Sequence, residues 1–147
     1  MSQADAEAIA AWRYPDEYSF YDWTSDADDL AELLDPRERA GEYVAVDSEG
    51  GTLIGFYQYK RPHGTCIEIG LGLHPAWTGR GFGRSFLEAG LDYARRRFAP
   101  ERFTLSVARF NRRAITVYER AGFVTVRLFN HRTNGREWEF IEMRRLA

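Results

Sequence analysis

The chain has 147 residues, the length of one domain, and its 44% hydrophobic, 29% charged and 15% aromatic composition excludes a disordered or collagen-like protein. A net charge of -2 argues against a strongly basic nucleic-acid binder. The apolar runs are too short to cross a membrane, no signal-peptide pattern opens the chain, and the single Cys66 leaves no internal disulfide, so no membrane partner and a cytoplasmic, reducing setting are expected.

The charge is unevenly placed. Residues 1–35 carry ten acids and one base, a sum of -9, and residues 36–147 carry twelve acids and nineteen bases, a sum of +7. The body therefore suits an anionic ligand and the N-terminal part a cationic one, unless both sets are solvated surface.

In chain order, residues 2–11 read as a loose start or short helix. Residues 12–23 bring Trp12, Tyr14, Tyr18, Phe20, Tyr21 and Trp23, interrupted by Pro15. These rings either anchor the segment to the body or line a substrate groove. Ser25 is the expected cap of a helix whose apolar face is Leu30, Leu33 and Leu34, ending at Asp35-Pro36. Strands are predicted over 43–46 and 53–59 across a Ser48–Gly51 turn, and over 66–73 after a turn at 61–64. The last strand puts Ile67, Ile69, Leu71 and Leu73 on one face and Cys66, Glu68, Gly70 and Gly72 on the other. The two glycines leave space beside the backbone, for a ligand or for a tightly packed neighbour.

Next comes Gly79-Arg80-Gly81-Phe82-Gly83, between a strand and a helix with Phe86, Leu87, Leu91 and Ala94 inward. Such a turn either opens a helix whose first N–H groups can take phosphate oxygens, with Arg80 or Arg84 adding charge, or is a glycine-rich connector without a ligand. A nucleotide-triphosphate loop fits worse, because no Gly-Lys-Ser/Thr follows to supply its phosphate lysine and metal hydroxyl. A dinucleotide fold fits poorly, because several strands precede the turn and the chain is short. A strand over 103–108 follows. Asn111 then begins a helix ending near Gly122, and strands 123–129 and 138–143 are joined across Asn134-Gly135, a type I′ hairpin signal. No linker or repeat divides the chain, so residues 1–147 read as one domain.

At this point the sequence resembles the GNAT acyltransferase superfamily, over about residues 42–129. Thr78-Gly79-Arg80-Gly81-Phe82-Gly83 matches the pattern Gln/Arg-x-x-Gly-x-Gly/Ala at both glycines and departs from it at Thr78. The run from Asn111 through Tyr118 to Gly122-Phe123 is similar to the family's second cofactor segment. The resemblance implies an α/β (α+β) fold with a mixed, mostly antiparallel sheet flanked by helices, and a splayed parallel strand pair formed by 66–73 and 103–108. It implies acetyl-coenzyme A as acyl donor, with its pyrophosphate on the amides of Gly79, Arg80, Gly81, Phe82, Gly83 and Arg84. Backbone groups of Leu71 and Leu73 and the side chain of Asn111 would contact the acetyl and pantetheine portions.

Direct acyl transfer needs a neutral amine near the carbonyl, a donor to the developing oxyanion and an acid for the thiolate, with no metal or protein nucleophile. Tyr118 is the acid candidate; its other reading is an inward aromatic with an ordinary hydrogen bond. Glu68 is the base candidate, or else an amine anchor or structural acceptor, and His74 is a second base candidate. His63 and His131 have no ligand partner at useful spacing, and Cys66 reads as a small core residue. The acceptor, a basic amine, would be framed by the N-terminal segment, the first helices and the last hairpin, with Tyr14, Tyr18 and Tyr21 as walls and Glu137 and Glu139 contributing. No first strand can be placed before the first helix. The alternative function is an inactive acyl-coenzyme A-binding sensor. A homodimer through the last sheet edge is also compatible with the sequence.

Overall fold

The computed structural model describes residues 1–147. The chain opens with helix α1 (Gln3–Ala10), where the Ser2 hydroxyl accepts from the Asp5 amide and the Asp5 carboxylate accepts from the Ser2 amide. The aromatic segment is ordered as two 3-10 turns, Asp16–Tyr21 and Trp23–Ser25. Helix α2 (Ala27–Leu34) is capped by Asp26, whose carboxylate accepts from the Asp28 and Asp29 amides. The expected cap, Ser25, instead ends the preceding turn and gives its hydroxyl to the Ser19 carbonyl. An ionised carboxylate one residue later is the stronger acceptor. A short α3 (Pro36–Arg39) leads into the sheet.

Six strands follow: β1 (Tyr43–Asp47), β2 (Leu53–Lys60), β3 (Cys66–Leu73), β4 (Arg102–Ala108), β5 (Val124–Thr133) and β6 (Arg136–Leu146). Their order is β1-β2-β3-β4-β6-β5, antiparallel except for the β3–β4 pair. Helix α4 (Gly83–Phe98) joins that pair and α5 (Arg112–Arg120) follows it. The β5–β6 hairpin is longer than predicted, and its two-residue loop has positive φ at Asn134 and Gly135, as a type I′ turn requires. No strand precedes α1, so the sheet begins only at Tyr43.

The alternation of side chains divides the sheet into two faces. Tyr57, Tyr59, Ile67, Ile69, Phe103 and Leu105 pack with Leu87, Leu91 and Ile115 in one core under α4 and α5. Tyr43 and Phe56 point the other way and join Ile9, Trp12 and Leu33 in a second core under α1 and α2. Cys66 is a buried free thiol 3.8 Å from the Thr104 hydroxyl.

The β3–β4 pairing is short. It is in register only at Cys66–Arg102, Ile67–Phe103 and Glu68–Thr104, although both strands continue. Beyond Glu68 and Thr104 they splay, and the sheet opens into a gap.

Candidate active site

The gap has backbone groups along both rims. The His74 amide donates to the Ile54 carbonyl, so alternation along the antiparallel pair directs Phe56/Gly72 and Gln58/Gly70 at each other. The amides and carbonyls of Leu71 and Leu73 then face the gap. By the same reasoning, the Arg109-to-Glu139 bond turns the backbone of Ser106 toward it from β4. The Leu73 carbonyl is already taken, because the Tyr14 hydroxyl donates to it at 2.7 Å. Leu71 is therefore the residue of the expected pair with both backbone groups open.

The glycine turn borders the same opening. Gly79 and Gly81 lie at φ +70° and +82°, where an L side chain is strained. The first intrahelical bond runs from the Phe86 amide to the Phe82 carbonyl, and no amide from Gly79 to Ser85 donates to a protein acceptor. Seven consecutive N–H groups at the start of a sixteen-residue helix make an arrangement able to cradle an anion. Thr78 plays a local part, giving its hydroxyl to the Pro75 carbonyl at 2.8 Å. The Arg80 guanidinium lies over the Trp77 and Phe82 rings, and neither Arg80 nor Arg84 places its side chain on the cavity wall. The cation that does is Arg113. It stacks over Tyr18 at 4.3 Å, and its Nη1 would lie 3.6 Å from a β-carbon on Gly79. Its signal in the sequence was the double arginine after Asn111, which nothing local tied to the turn.

A cavity of about 510 Å³ passes from this cradle through the splayed strands to the α2 side of the sheet. Asn111 caps α5 through the Ala114 amide and donates its Nδ2 to the Tyr21 hydroxyl at 3.1 Å. Tyr118 lines the cavity, half-buried, and its hydroxyl has no hydrogen-bond partner in the protein. Loss of hydration, with a smaller contribution from Tyr21, raises its pKa further above the ordinary tyrosine value, so the phenol keeps its proton.

The proton-accepting candidates come out differently. Glu68 is half-buried on the acceptor-side face, but it sits where β3 and β4 are still paired, between Lys60 and Thr104, and is not on the cavity wall. His74 is also off the wall, with Nδ1 accepting from the Ala76 amide and its ring edge-on to Trp12. His131, unpromising by sequence spacing, reaches the wall from β5, and Asp29 reaches it from α2. The Asp29 pKa is raised by burial and by the neighbouring carboxylates of Asp26 and Glu32, against the opposing charges of His131 and Lys60. Tyr14, Tyr18 and Tyr21 all line the cavity, as the groove reading of the N-terminal rings expected; Glu137 and Glu139 do not.

Gly70 and Gly72 both line the cavity, for different reasons. The space beside Gly72 is filled by the Phe56 ring, so close that no β-carbon fits. At Gly70 the neighbour is the Gln58 side chain at ordinary contact distance.

The family model described as "Acetyltransferase (GNAT) domain" matches residues 1–124. The chain belongs to the GNAT acetyltransferase family. Two mycothiol acetyltransferases are similar to it. That of Propionibacterium freudenreichii is 41% identical over 93 residues, covering 59% of this chain and 28% of the relative. That of Salinispora tropica is 36% identical over 122 residues, covering 79% and 39%. The chain thus spans well under half the length of these curated relatives. Among solved structures, spermidine N-acetyltransferase from Vibrio cholerae in complex with CoA and spermine superposes with a TM-score of 0.77 at 22% identity, covering 99% of this chain and 92% of that one. A GNAT-family acetyltransferase from Bacillus anthracis gives a TM-score of 0.77 at 16% identity, covering 99% and 91%. At such identities these two likenesses establish the GNAT fold, with its splayed parallel pair.

Proposed function

We propose that this GNAT protein transfers an acetyl group from acetyl-coenzyme A to the primary amine of a small basic molecule or peptide, directly and without a covalent enzyme intermediate. The observation that carries the reading is the run of seven unpaired amides, Gly79 to Ser85, opening on a cavity that continues through the sheet past the Tyr118 hydroxyl. The curated relatives are acetyltransferases by name, and a structure of the same fold was solved with CoA.

In this reading the amides of residues 79–84, with Arg113 beside them, hold the pyrophosphate, and the Asn111 side chain and the backbone of Leu71 hold the pantetheine arm. Acetyl-coenzyme A supplies an activated thioester. The Leu71 amide is the donor available to its carbonyl oxygen as negative charge develops there. The acceptor nitrogen forms the new C–N bond, the C–S bond breaks, and Tyr118 gives its proton to the departing sulfur. Asp29 and His131 are the wall groups able to receive the amine's proton. Glu68 can serve only through intervening water.

The test is an acceptor panel with acetyl-coenzyme A, following thiol release and product mass. Release with an acetylated amine supports transfer. Coenzyme A binding without release across amino acids, peptides, polyamines and aryl amines would leave an acyl-coenzyme A sensor instead.

A further inference from the structure

The acceptor side of the cavity has a polar group whose orientation is fixed by chemistry alone. Gln58, on β2, donates its Nε2 to Glu32 Oε1 at 3.1 Å. A carboxylate accepts and does not donate, so only the NH₂ end of the amide can face it. Glu32 is itself held, with the Tyr43 hydroxyl donating to it at 3.2 Å and Lys60 Nζ at 3.5 Å. Gln58 Oε1 is therefore turned away from α2. It lies 3.4 Å from where a β-carbon of Gly70 would sit, on the cavity wall, and no protein group donates to it. A half-buried carbonyl oxygen beside a glycine, at the acceptor-side end of the gap, lacks only an N–H.

The rest of that chamber limits what carries the N–H. Its walls include the rings of Tyr18, Phe20, Tyr21, Trp23 and Phe140. Two carboxylates reach it. Asp22 accepts from the Tyr14 amide at 2.8 Å, which leaves Asp29 as the one without a hydrogen-bond donor. Both carry negative charge, Asp22 with its second oxygen still open, so the walls suit an amine whose remaining surface is flat and apolar.

We propose that Gln58 Oε1 receives the reacting nitrogen of the acceptor, that Glu32 is the positioning residue that fixes it, and that the acceptor is an amine on an aromatic or other flat apolar body. This rests on the transferase reading for the identity of the chamber.

The experiment has two arms. In the equilibrium arm, 2-phenylethylamine and, separately, spermidine are titrated calorimetrically into the protein saturated with coenzyme A. The wild type should bind the aryl amine more tightly than spermidine, and Gln58→Leu should weaken aryl-amine binding about tenfold with coenzyme A affinity unchanged. In the kinetic arm, Glu32→Ala should raise the acceptor KM with kcat held, and Glu32→Gln, which can still accept from Gln58, should restore it. Circular dichroism checks that each variant folds. Tighter binding of spermidine, no aryl-amine binding, or a Gln58→Leu protein that binds as wild type overturns the proposal. If the predicted amine binding appears without turnover, the transferase reading fails and the amine site stands. If turnover appears with an acceptor KM indifferent to residue 58, the reverse holds.

Discussion

Replacing Gly81 by Ala tests whether the shape of the cradle matters. Gly81 lies at φ +82° with nothing within 4 Å of the place a β-carbon would occupy, so the substitution introduces no clash and acts through the backbone alone. Holding an L-residue in that region costs about 1–2 kcal/mol. The amides from Gly79 to Ser85 make no bond to the protein, and Gly79 to Phe82 are exposed, so little in the free protein enforces the strained shape. The turn should relax, and ligand binding must then restore it. The cost should appear as about a 5–30-fold loss of coenzyme A affinity by calorimetry, with little change in melting temperature. Gly41→Ala is the control: φ there is +79°, also in open space, but the residue lies between α3 and β1, away from the cavity. It should cost stability and leave affinity alone. If Gly81→Ala keeps coenzyme A affinity within twofold and loses stability as Gly41→Ala does, the unpaired amides are not the ligand's cradle.

Tyr118→Phe removes a hydroxyl with no protein partner, so stability and coenzyme A affinity should hold while kcat falls about 10²–10⁴-fold; an unchanged turnover rate would remove Tyr118 from the chemistry. Arg113→Ala should weaken coenzyme A binding about threefold to tenfold at low salt, with the difference shrinking as salt rises; binding titrations at two ionic strengths decide it. Gly90→Ala would place a β-carbon 2.6 Å from a ring carbon of Tyr57, which is pinned by its bond to the Phe86 carbonyl. Overpacking of about 1–3 kcal/mol exceeds the gain of about 1 kcal/mol in helix propensity, so the melting temperature should drop, by scanning calorimetry. Finally, burial raises the pKa values of Tyr43, Tyr57 and Tyr59 above the ordinary value. Stability from these groups is complete below the unfolded value near pH 10 and is lost above it, where only the unfolded chain ionises. Urea unfolding at pH 11 should show up to about 4 kcal/mol less stability than at pH 9.

What the sequence revealed was local. The Asn134-Gly135 hairpin, the alternation in β3, the Asn111 cap and the positive-φ glycines are each specified within a few residues, and each formed. What it concealed depends on distant partners. Asp29 and His131 are about a hundred positions apart, and the tie between the start of α2 and the β5–β6 turn puts both on one cavity wall. Asp26 makes that tie by accepting from the Thr133 hydroxyl and the Asn134 amide. Gly72 looked like room for a ligand because no sequence pattern announces that Phe56, sixteen residues earlier, fills the space. Glu68 shares its face with Gly70, as alternation required, but where the parallel pair stops is a property of two strands and not of one.

In the proposed reading, the end of that pairing also explains how one small sheet could serve two chemically unlike ligands. A phosphate-bearing donor needs backbone amides and positive charge, and would find them at the start of α4 and at Arg113. A cationic acceptor needs carboxylate and carbonyl oxygens, and would find them at Asp29 and Gln58, on the α2 side. Had β3 and β4 stayed paired to their ends, these two environments would be separated by a continuous ladder of hydrogen bonds. By splaying after Glu68 and Thr104, the strands give up a few such bonds, each worth about 1 kcal/mol net. In return, the Leu71 backbone is exposed at the one place where both chambers meet. The opposed charge of the two halves of the chain, -9 before residue 36 and +7 after it, has the same sense as that division.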